Sequence, residues 1–168
     1  GPDIFGHTWR DSDEPDGPLY GWLNITDIGT EVTWDHGDAD DGYTNPIPMG
    51  MTFNYYGANY DSIVISTNGW ASFIPNPENF AWSVNFPLPL IDEINAVLAV
   101  DWDNLDGGAS GHCYYYHDIA ANSFVVSWVN WSHAPAPSNQ HSFQIILNGT
   151  DGTILYQYGS GSYQDDIT

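Results

Sequence analysis

The amino-acid sequence predicts an all-β fold: an antiparallel two-sheet β-sandwich, jelly-roll-like, with about nine or more short strands and little or no helix. Short segments rich in Val, Ile, Phe, Tyr and Trp recur along the 168 residues, with Gly, Pro, Asn and Asp between them. No long segment carries a clear helical period, and residues 91–100 allow at most one short helical turn. Strands that follow one another through short turns pair antiparallel and pack as two sheets.

The predicted strands are apolar segments bounded by turn residues. In chain order they cover 31–34, 51–56, 62–66, 70–74, 96–102, 112–117, 123–131, 142–147 and 153–158. Asn68 and Gly69 lie between the third and fourth strands, and Asn-Gly is the strongest short-range signal for a hairpin. Residues 148–152 (NGTDG) join the last two strands in the same way.

The segment 123–131 is apolar on both faces. A strand alternates its side chains, which places Phe124 and Trp128 on one face and Val125 and Trp131 on the other. Since neither face suits water, we expect this segment to be a central strand.

Length, composition and charge limit the class of protein. The length predicts one domain over residues 1–168, and 42% apolar and 15% aromatic residues predict a folded chain. The net charge is −21 and Arg10 is the only Lys or Arg, which excludes nucleic acid and anionic membrane surfaces as expected partners. Membrane insertion is not expected either, because no apolar run approaches the ~20 residues of a span.

The acidic residues are clustered and are the candidate ligands of Ca²⁺, which takes six to eight oxygen ligands from such loops. The candidates follow a strand (Asp101, Asp103, Asp106) or lie in two loops (Asp38, Asp40 and Asp41; Asp11 and Asp13). Asp101 and Asp103 are preferred, because the end of a strand holds ligands more rigidly than a long loop. A solvated acidic surface that keeps the protein soluble explains the same residues, and the sequence leaves both interpretations open.

The chain offers little sign of other site chemistry. A zinc site at His112, Cys113 and His117 is disfavoured, because Cys113 and His117 are about 13 Å apart on a strand. Cys113, the single cysteine, is expected to be a buried and inert thiol. The sequence also lacks catalytic motifs such as G-x-S-x-G, so we expect no enzyme activity.

Two further features concern glycans. Eight tryptophans exceed what the core of a small sandwich needs, so exposed rings among Trp22, Trp34 and Trp82 are candidates for stacking on sugars. Sequons for N-glycosylation occur at three positions (Asn24, Asn130 and Asn148). We expect Asn148 to be the most accessible, because it lies in a turn, and Asn130 to be the least credible glycosylation site, because it lies within a strand.

Several segments together resemble a known type of domain. GPDIFGHTWRDSDEPDGPLYGWLNI, LAVDWDNLDGG, CYYYHD and FVVSWVNW resemble a β-sandwich domain of large secreted proteins of bacteria and archaea. The segment from Tyr55, Tyr56, Gly57 and Tyr60 through STNGW to FQIIL is similar to the nidogen-like extracellular domain of animal adhesion proteins. The resemblance implies an extracellular or cell-surface location. It also implies a further strand after residue 158, so a final strand is expected to be missing or shared, with one sheet edge open to another chain.

We therefore predict a non-catalytic extracellular module, stabilised by calcium, for cell-surface adhesion, display or structural packing. The expected partners are other copies of the chain or neighbouring domains of a surface protein. Two alternatives stay open: a self-assembling subunit of an extracellular filament or surface layer, and a carbohydrate-binding module with glycan partners. Polymerisation of the chain alone supports the first, and retention on a polysaccharide that depends on an exposed tryptophan supports the second.

Overall fold

The computed structural model describes residues 2–75, 83–84, 88, 95–108, 110–134 and 136–159, with the side chains of 136–138 left aside. These residues form ten strands and no helix, in two antiparallel sheets, which confirms the predicted all-β sandwich. The strands are β1 (Thr30–Glu31), β2 (Ile47–Tyr55), β3 (Ala58–Ile65), β4 (Trp70–Ser72), β5 (Val97–Ala99), β6 (Leu105–Asp106), β7 (His112–Asp118), β8 (Ser123–His133), β9 (Ala136–Asn148) and β10 (Ile154–Tyr158). Within the described ranges, no helix is long and apolar enough to cross a membrane.

One sheet has six strands and the other has four. The larger runs β1-β7-β8-β9-β10, with β6 paired to β8, and the smaller runs β2-β3-β4-β5. Strand β8 lies between β7 and β9, which confirms the prediction of a central strand. The turn at Asn68-Gly69 joins β3 to β4, and residues 148–152 join β9 to β10, so both predicted hairpins are present.

The main core lies between the two sheets. Alternate residues of β8 and β9 point into it, because side chains of a strand alternate between faces. The four-stranded sheet contributes Met49, Phe53, Ile63 and Ile65, and the six-stranded sheet contributes Phe124, Val126, Trp128, Phe143, Ile145 and Leu147. The expectation of a buried thiol is confirmed, since Cys113 is part of this core.

The prediction that Trp131 and Trp128 point to opposite faces is wrong. The register of β8 against β9 shifts between these two residues, and Asn130 has a φ of 57°. The extra residue of this bulge turns Trp131 back towards the sheet interior, so both indoles are buried in the same core. A strict period of two cannot anticipate a bulge.

Two sequence expectations fall partly outside the described residues. Residues 91–94 of the possible helical turn are not described, and the following residues form β5. Residues 160–168, where a final strand would be completed or absent, are also not described.

Candidate functional site

The turn between β3 and β4 organises one end of the sandwich. Its sequence is Ser66-Thr67-Asn68-Gly69-Trp70, and all five residues are buried. Thr67 is tied to the acidic loop of residues 35–42 by three hydrogen bonds to Gly42. Its amide donates to the Gly42 carbonyl at 2.9 Å, and its hydroxyl accepts from the Gly42 amide at 2.9 Å and donates to the carbonyl at 3.0 Å. The turn therefore fixes the position of the loop that carries Asp38, Asp40 and Asp41.

Asn68 connects this loop to the strand on the other side of the turn. Its side-chain amide donates to Oδ1 of Asp41 at 3.0 Å, and its Oδ1 accepts from the backbone amide of Leu105 at 2.7 Å. Asn68 has no exposed surface, and its bond to Leu105 is buried in a low-dielectric setting that strengthens it, whereas the bond to the exposed Asp41 is part-buried. The amide of Gly107 adds a third link by donating to the Ala39 carbonyl at 3.0 Å.

These links bring four of the predicted calcium ligands to one place, which we call the acidic end (Asp38, Asp40, Asp41 and Asp106). Desolvation raises the pKa of Asp40, and repulsion from Asp41, Asp106 and Asp38 raises it further. Backbone amides stabilise the carboxylate of Asp38, since its Oδ1 accepts hydrogen bonds from the amides of Asp40 and Asp41. Across the described ranges, no three His, Cys, Asp or Glu side chains are grouped tightly enough to hold a metal ion by themselves.

Asp101 and Asp103, the preferred ligands from the sequence, face histidines. Asp101 is buried, and its Oδ2 lies 2.5 Å from Nε2 of His141. Asp103 is half exposed, and its Oδ2 lies 3.4 Å from Nδ1 of His133. The rings of His133 and His141 stack at 5.3 Å, so the two pairs form one cluster next to the acidic end.

The remaining predicted calcium ligands, Asp11 and Asp13, lie in a separate exposed turn. Oδ1 of Asp11 accepts from the amide of Asp13 at 3.0 Å, which is a local turn interaction. Of the predicted ligands, the structure therefore brings only Asp106 to the loop that carries Asp38, Asp40 and Asp41.

The sequons differ from the expected order of accessibility. Asn130 is exposed, because the bulge in β8 turns it outwards, whereas Asn148 is half-buried. Asn24 is exposed, and its Oδ1 accepts from the hydroxyl of Thr26 at 2.9 Å. Asn148 is therefore not the most accessible of the three, although Asn130 does lie within a strand.

The positions considered for zinc and for sugar stacking are placed as follows. Cys113 is fully buried, and burial, with a smaller contribution from Glu31, raises the pKa of its thiol well above the ordinary value. Trp34 is half-buried and packs edge-on against Trp131 at 6.0 Å, and Trp22 is also half-buried. Trp82 lies outside the described residues, and the most exposed described tryptophan is Trp9, at 79%.

Sequence reasoning missed the residues that hold the site together. Asn68 was identified only as a turn residue, although its side chain joins two acidic segments. His133 and His141 were not considered, because they are eight residues apart and only the pairing of β8 with β9 brings them into contact. A signal was present in the Asn-Gly turn, since a buried Asn requires partners for its amide.

Comparison with known proteins identifies one family. A family model described as NIDO related matches residues 22–168. No curated protein matches the chain, and no solved structure does.

Proposed function

The chain belongs to the NIDO-related family, and from this premise we propose that it is a non-catalytic extracellular module, stabilised by calcium at its acidic end, for adhesion, surface display or structural packing. Domains of this family are typically extracellular, and calcium is abundant outside cells. A module of this kind presents a rigid surface and needs no reaction centre.

The observation that carries the calcium proposal is the convergence of Asp38, Asp40, Asp41 and Asp106 on one buried turn. Like charges held this close repel one another, which is why the pKa of Asp40 is raised by its three neighbours after the effect of desolvation. A divalent cation relieves that repulsion. Calcium completes its coordination with backbone carbonyls and water, so it does not need a cage made of carboxylates alone.

The non-catalytic role is supported by the setting of the Asp101–His141 pair, the closest contact between a carboxylate and an imidazole in the described part of the chain. The two side chains keep only 4% and 5% of their surface exposed, so a substrate has little access to them. The pair connects strand β9, which carries His141, to the β3–β4 turn, to which the amide of Asp101 is bonded, and this position suits a structural contact.

Thermal melting with and without calcium tests the proposal. An ion that binds only the folded state stabilises it by RT ln(1 + [L]/Kd), so millimolar calcium is expected to raise the melting temperature relative to chelator. Asp40→Asn should remove most of this rise. Asp61→Asn changes the charge equally at an exposed position of β3 and should keep it.

Identical melts of the unchanged chain in calcium and chelator would refute the calcium part of the proposal. Asp103→Asn distinguishes the two candidate positions. If Asp103→Asn abolishes the calcium response while Asp40→Asn retains it, the site lies after β5, as the sequence alone favours.

A carbohydrate-binding role is a second candidate because Trp9 presents a flat ring at 79% exposure. Aromatic rings of this kind stack on sugar faces. Retention of the chain during electrophoresis through gels that contain a soluble polysaccharide should be lost in Trp9→Ala and kept in Ile119→Ala, which removes an equally exposed apolar side chain. Equal mobility with and without polysaccharide would exclude this role for the polysaccharides tried.

A further inference from the structure

The first 25 residues attach to the sandwich at two separate places. We call residues 3–7 the arm, residues 8–20 the connector and residues 21–25 the crossing segment. The crossing segment lies over the outer face of the six-stranded sheet, and the arm lies against the turn between β2 and β3.

The crossing segment is firmly held by glutamine side chains. Gln157 accepts from the amide of Gly21 at 2.7 Å and donates to its carbonyl at 3.0 Å, and Gln144 does the same with Leu23 at 3.1 and 3.2 Å. The two side-chain amides thus replace the peptide groups of a neighbouring strand. Ile25 completes the anchor, because only 3% of its surface is exposed.

The arm is held by a small aromatic contact. The ring of Phe5 meets Tyr56 edge-on at 5.2 Å, and the ring of His7 lies 4.4 Å from Tyr56. Oδ1 of Asp3 accepts from the amides of Phe5 and His7 at 2.9 Å each, which gives the arm a defined local shape. The arm therefore docks as a preformed unit on Tyr56.

This docking leaves the arm and the connector largely in water. Residues 2–16 and 18–20 are all exposed, with Ile4 at 96% and Leu19 at 91%. The hydrogen bonds recorded for the connector join residues 11–17 to one another, as in the bond from the Gly17 amide to the Glu14 carbonyl. Exposed apolar side chains concentrated in one segment are typical of an interaction surface.

We propose that the arm of one copy docks on the Tyr55–Gly57 turn of a second copy, so that copies are linked head to tail. The contact is the same whether the arm comes from the same chain or from another, and the exchange is therefore inexpensive in free energy. The proposal goes beyond the module function above and does not depend on its calcium site.

The connector is long enough for this exchange. Thirteen extended residues span roughly 45 Å, and a domain of this length has a radius of gyration of about 15 Å, hence a diameter near 40 Å. The anchored crossing segment stays on its own sheet, so only the connector has to change its path. Because donor and acceptor are different surfaces, a copy can give its arm to one neighbour and receive an arm from another, so the contact can extend into a chain of copies; two copies that exchange arms with each other instead form a closed pair.

The net charge of −21 makes copies of the chain repel one another. Salt or divalent cations screen this repulsion and should therefore favour association. Sedimentation velocity of the full chain, from micromolar to millimolar concentration in physiological salt, should therefore show species larger than a monomer. The same runs are made with calcium and with chelator, which separates screening by calcium from the exchange itself.

Complementing variants identify the contact. Phe5→Ala removes the donor and Tyr56→Ala the acceptor, and both residues are exposed, so neither variant threatens the core. Each variant alone should be monomeric. An equimolar mixture should form dimers and nothing larger, because one intact arm meets one intact turn and the next contact is missing. Ile119→Ala should assemble as the unchanged chain does.

A chain that stays monomeric at every concentration and in every buffer would overturn the proposal. So would assembly that persists in Phe5→Ala alone, because the contact would then lie elsewhere. Circular dichroism checks that each variant is folded. If Tyr56→Ala is unfolded, the unchanged chain is mixed with an excess of Phe5→Ala. This variant keeps the Tyr56 turn but lacks a functional arm, so it should end growing assemblies and shorten them; assemblies of unchanged size would contradict the proposal.

Discussion

Asp101 and His141 form a buried contact in which a carboxylate oxygen lies 2.5 Å from an imidazole nitrogen. Asp101 follows β5 of the smaller sheet, and His141 lies on β9 of the larger one, so the contact joins the two layers at the end where the acidic residues gather. The amide of Asp101 also donates to the Gly69 carbonyl at 3.0 Å. One residue therefore couples the hairpin turn, the strand β5 and the opposite sheet.

The contact predicts unequal effects for two identical substitutions. Asp101→Asn disrupts a buried hydrogen bond between a carboxylate and an imidazole and should lower the free energy of unfolding by about 3 kcal/mol. Asp103→Asn removes a longer and half-exposed contact with His133 and should cost less than about 1 kcal/mol. Urea unfolding of both variants measures the difference, and equal losses would show that the buried pair contributes no more than the exposed one.

The fold was predictable because its signals are local. Alternation in β9 places Phe143, Ile145 and Leu147 on the core face, and the Asn-Gly turn sets the β3–β4 hairpin. Strand β6 was missed, because two residues, Leu105 and Asp106, are too short to show any period. The bulge at Asn130 was missed for a related reason, since it changes the register without changing the composition.

The site was only partly predictable, because its contacts are not local. The sequence identified every carboxylate of the acidic end but could not show that Asp106 lies beside Asp38–Asp41, which depends on Asn68 joining two loops. It also could not show that Asp101 forms a hydrogen bond with His141. Spacing along the chain indicates which residues are able to bind an ion, and only the pairing of strands decides which of them meet.

Two glycines give a second matched prediction. Gly69 and Gly152 both lie in hairpin turns with φ of +71° and +76°. A Cβ at Gly69 would lie 1.9 Å from the Asp101 carbonyl oxygen, whereas one at Gly152 would meet nothing within 4 Å. Gly152→Ala should cost only the backbone strain, about 1 kcal/mol, and Gly69→Ala more than about 3 kcal/mol. Thermal or urea unfolding compares them, and a similar cost for both would mean that the turn yields easily.

Removal of one glutamine should release the crossing segment. Gln144→Ala deletes the bonds to both backbone groups of Leu23 and to the hydroxyl of Ser127, together with the bond that Gln144 accepts from Gln157, at an expected cost of about 2 kcal/mol. Hydrogen exchange should accelerate at the amide of Leu23 well before global unfolding. Gln140→Ala, which loses a peripheral contact with Ser110, is the control and should leave this amide protected. Unchanged exchange in Gln144→Ala would mean that Gln157 and Ile25 hold the segment without Gln144.

Buried tyrosines predict a loss of stability at alkaline pH. Burial raises the pKa of Tyr55 from 10.0 to about 12, with smaller contributions from Tyr56, Tyr60 and Asp3, and the Tyr55 hydroxyl donates to the Val97 carbonyl. Below pH 10 the phenol is protonated in both the folded and the unfolded chain, so its full contribution to the free energy of unfolding is present. Between pH 10 and about 12 the unfolded chain releases the proton first, so stability falls as pH rises.

The urea midpoint as a function of pH, together with the absorbance of tyrosinate, measures this loss. Burial raises the pKa of Tyr156 and Tyr158 as well, so several protons contribute. Tyr55→Phe removes one of these protons, so the stability of this variant should decline less steeply above pH 10. Its stability at neutral pH should be lower than that of the unchanged chain, because the hydrogen bond to Val97 is lost. Tyr20→Phe changes an exposed ring and should follow the unchanged chain. An equally steep decline in Tyr55→Phe would assign the alkaline loss to other groups.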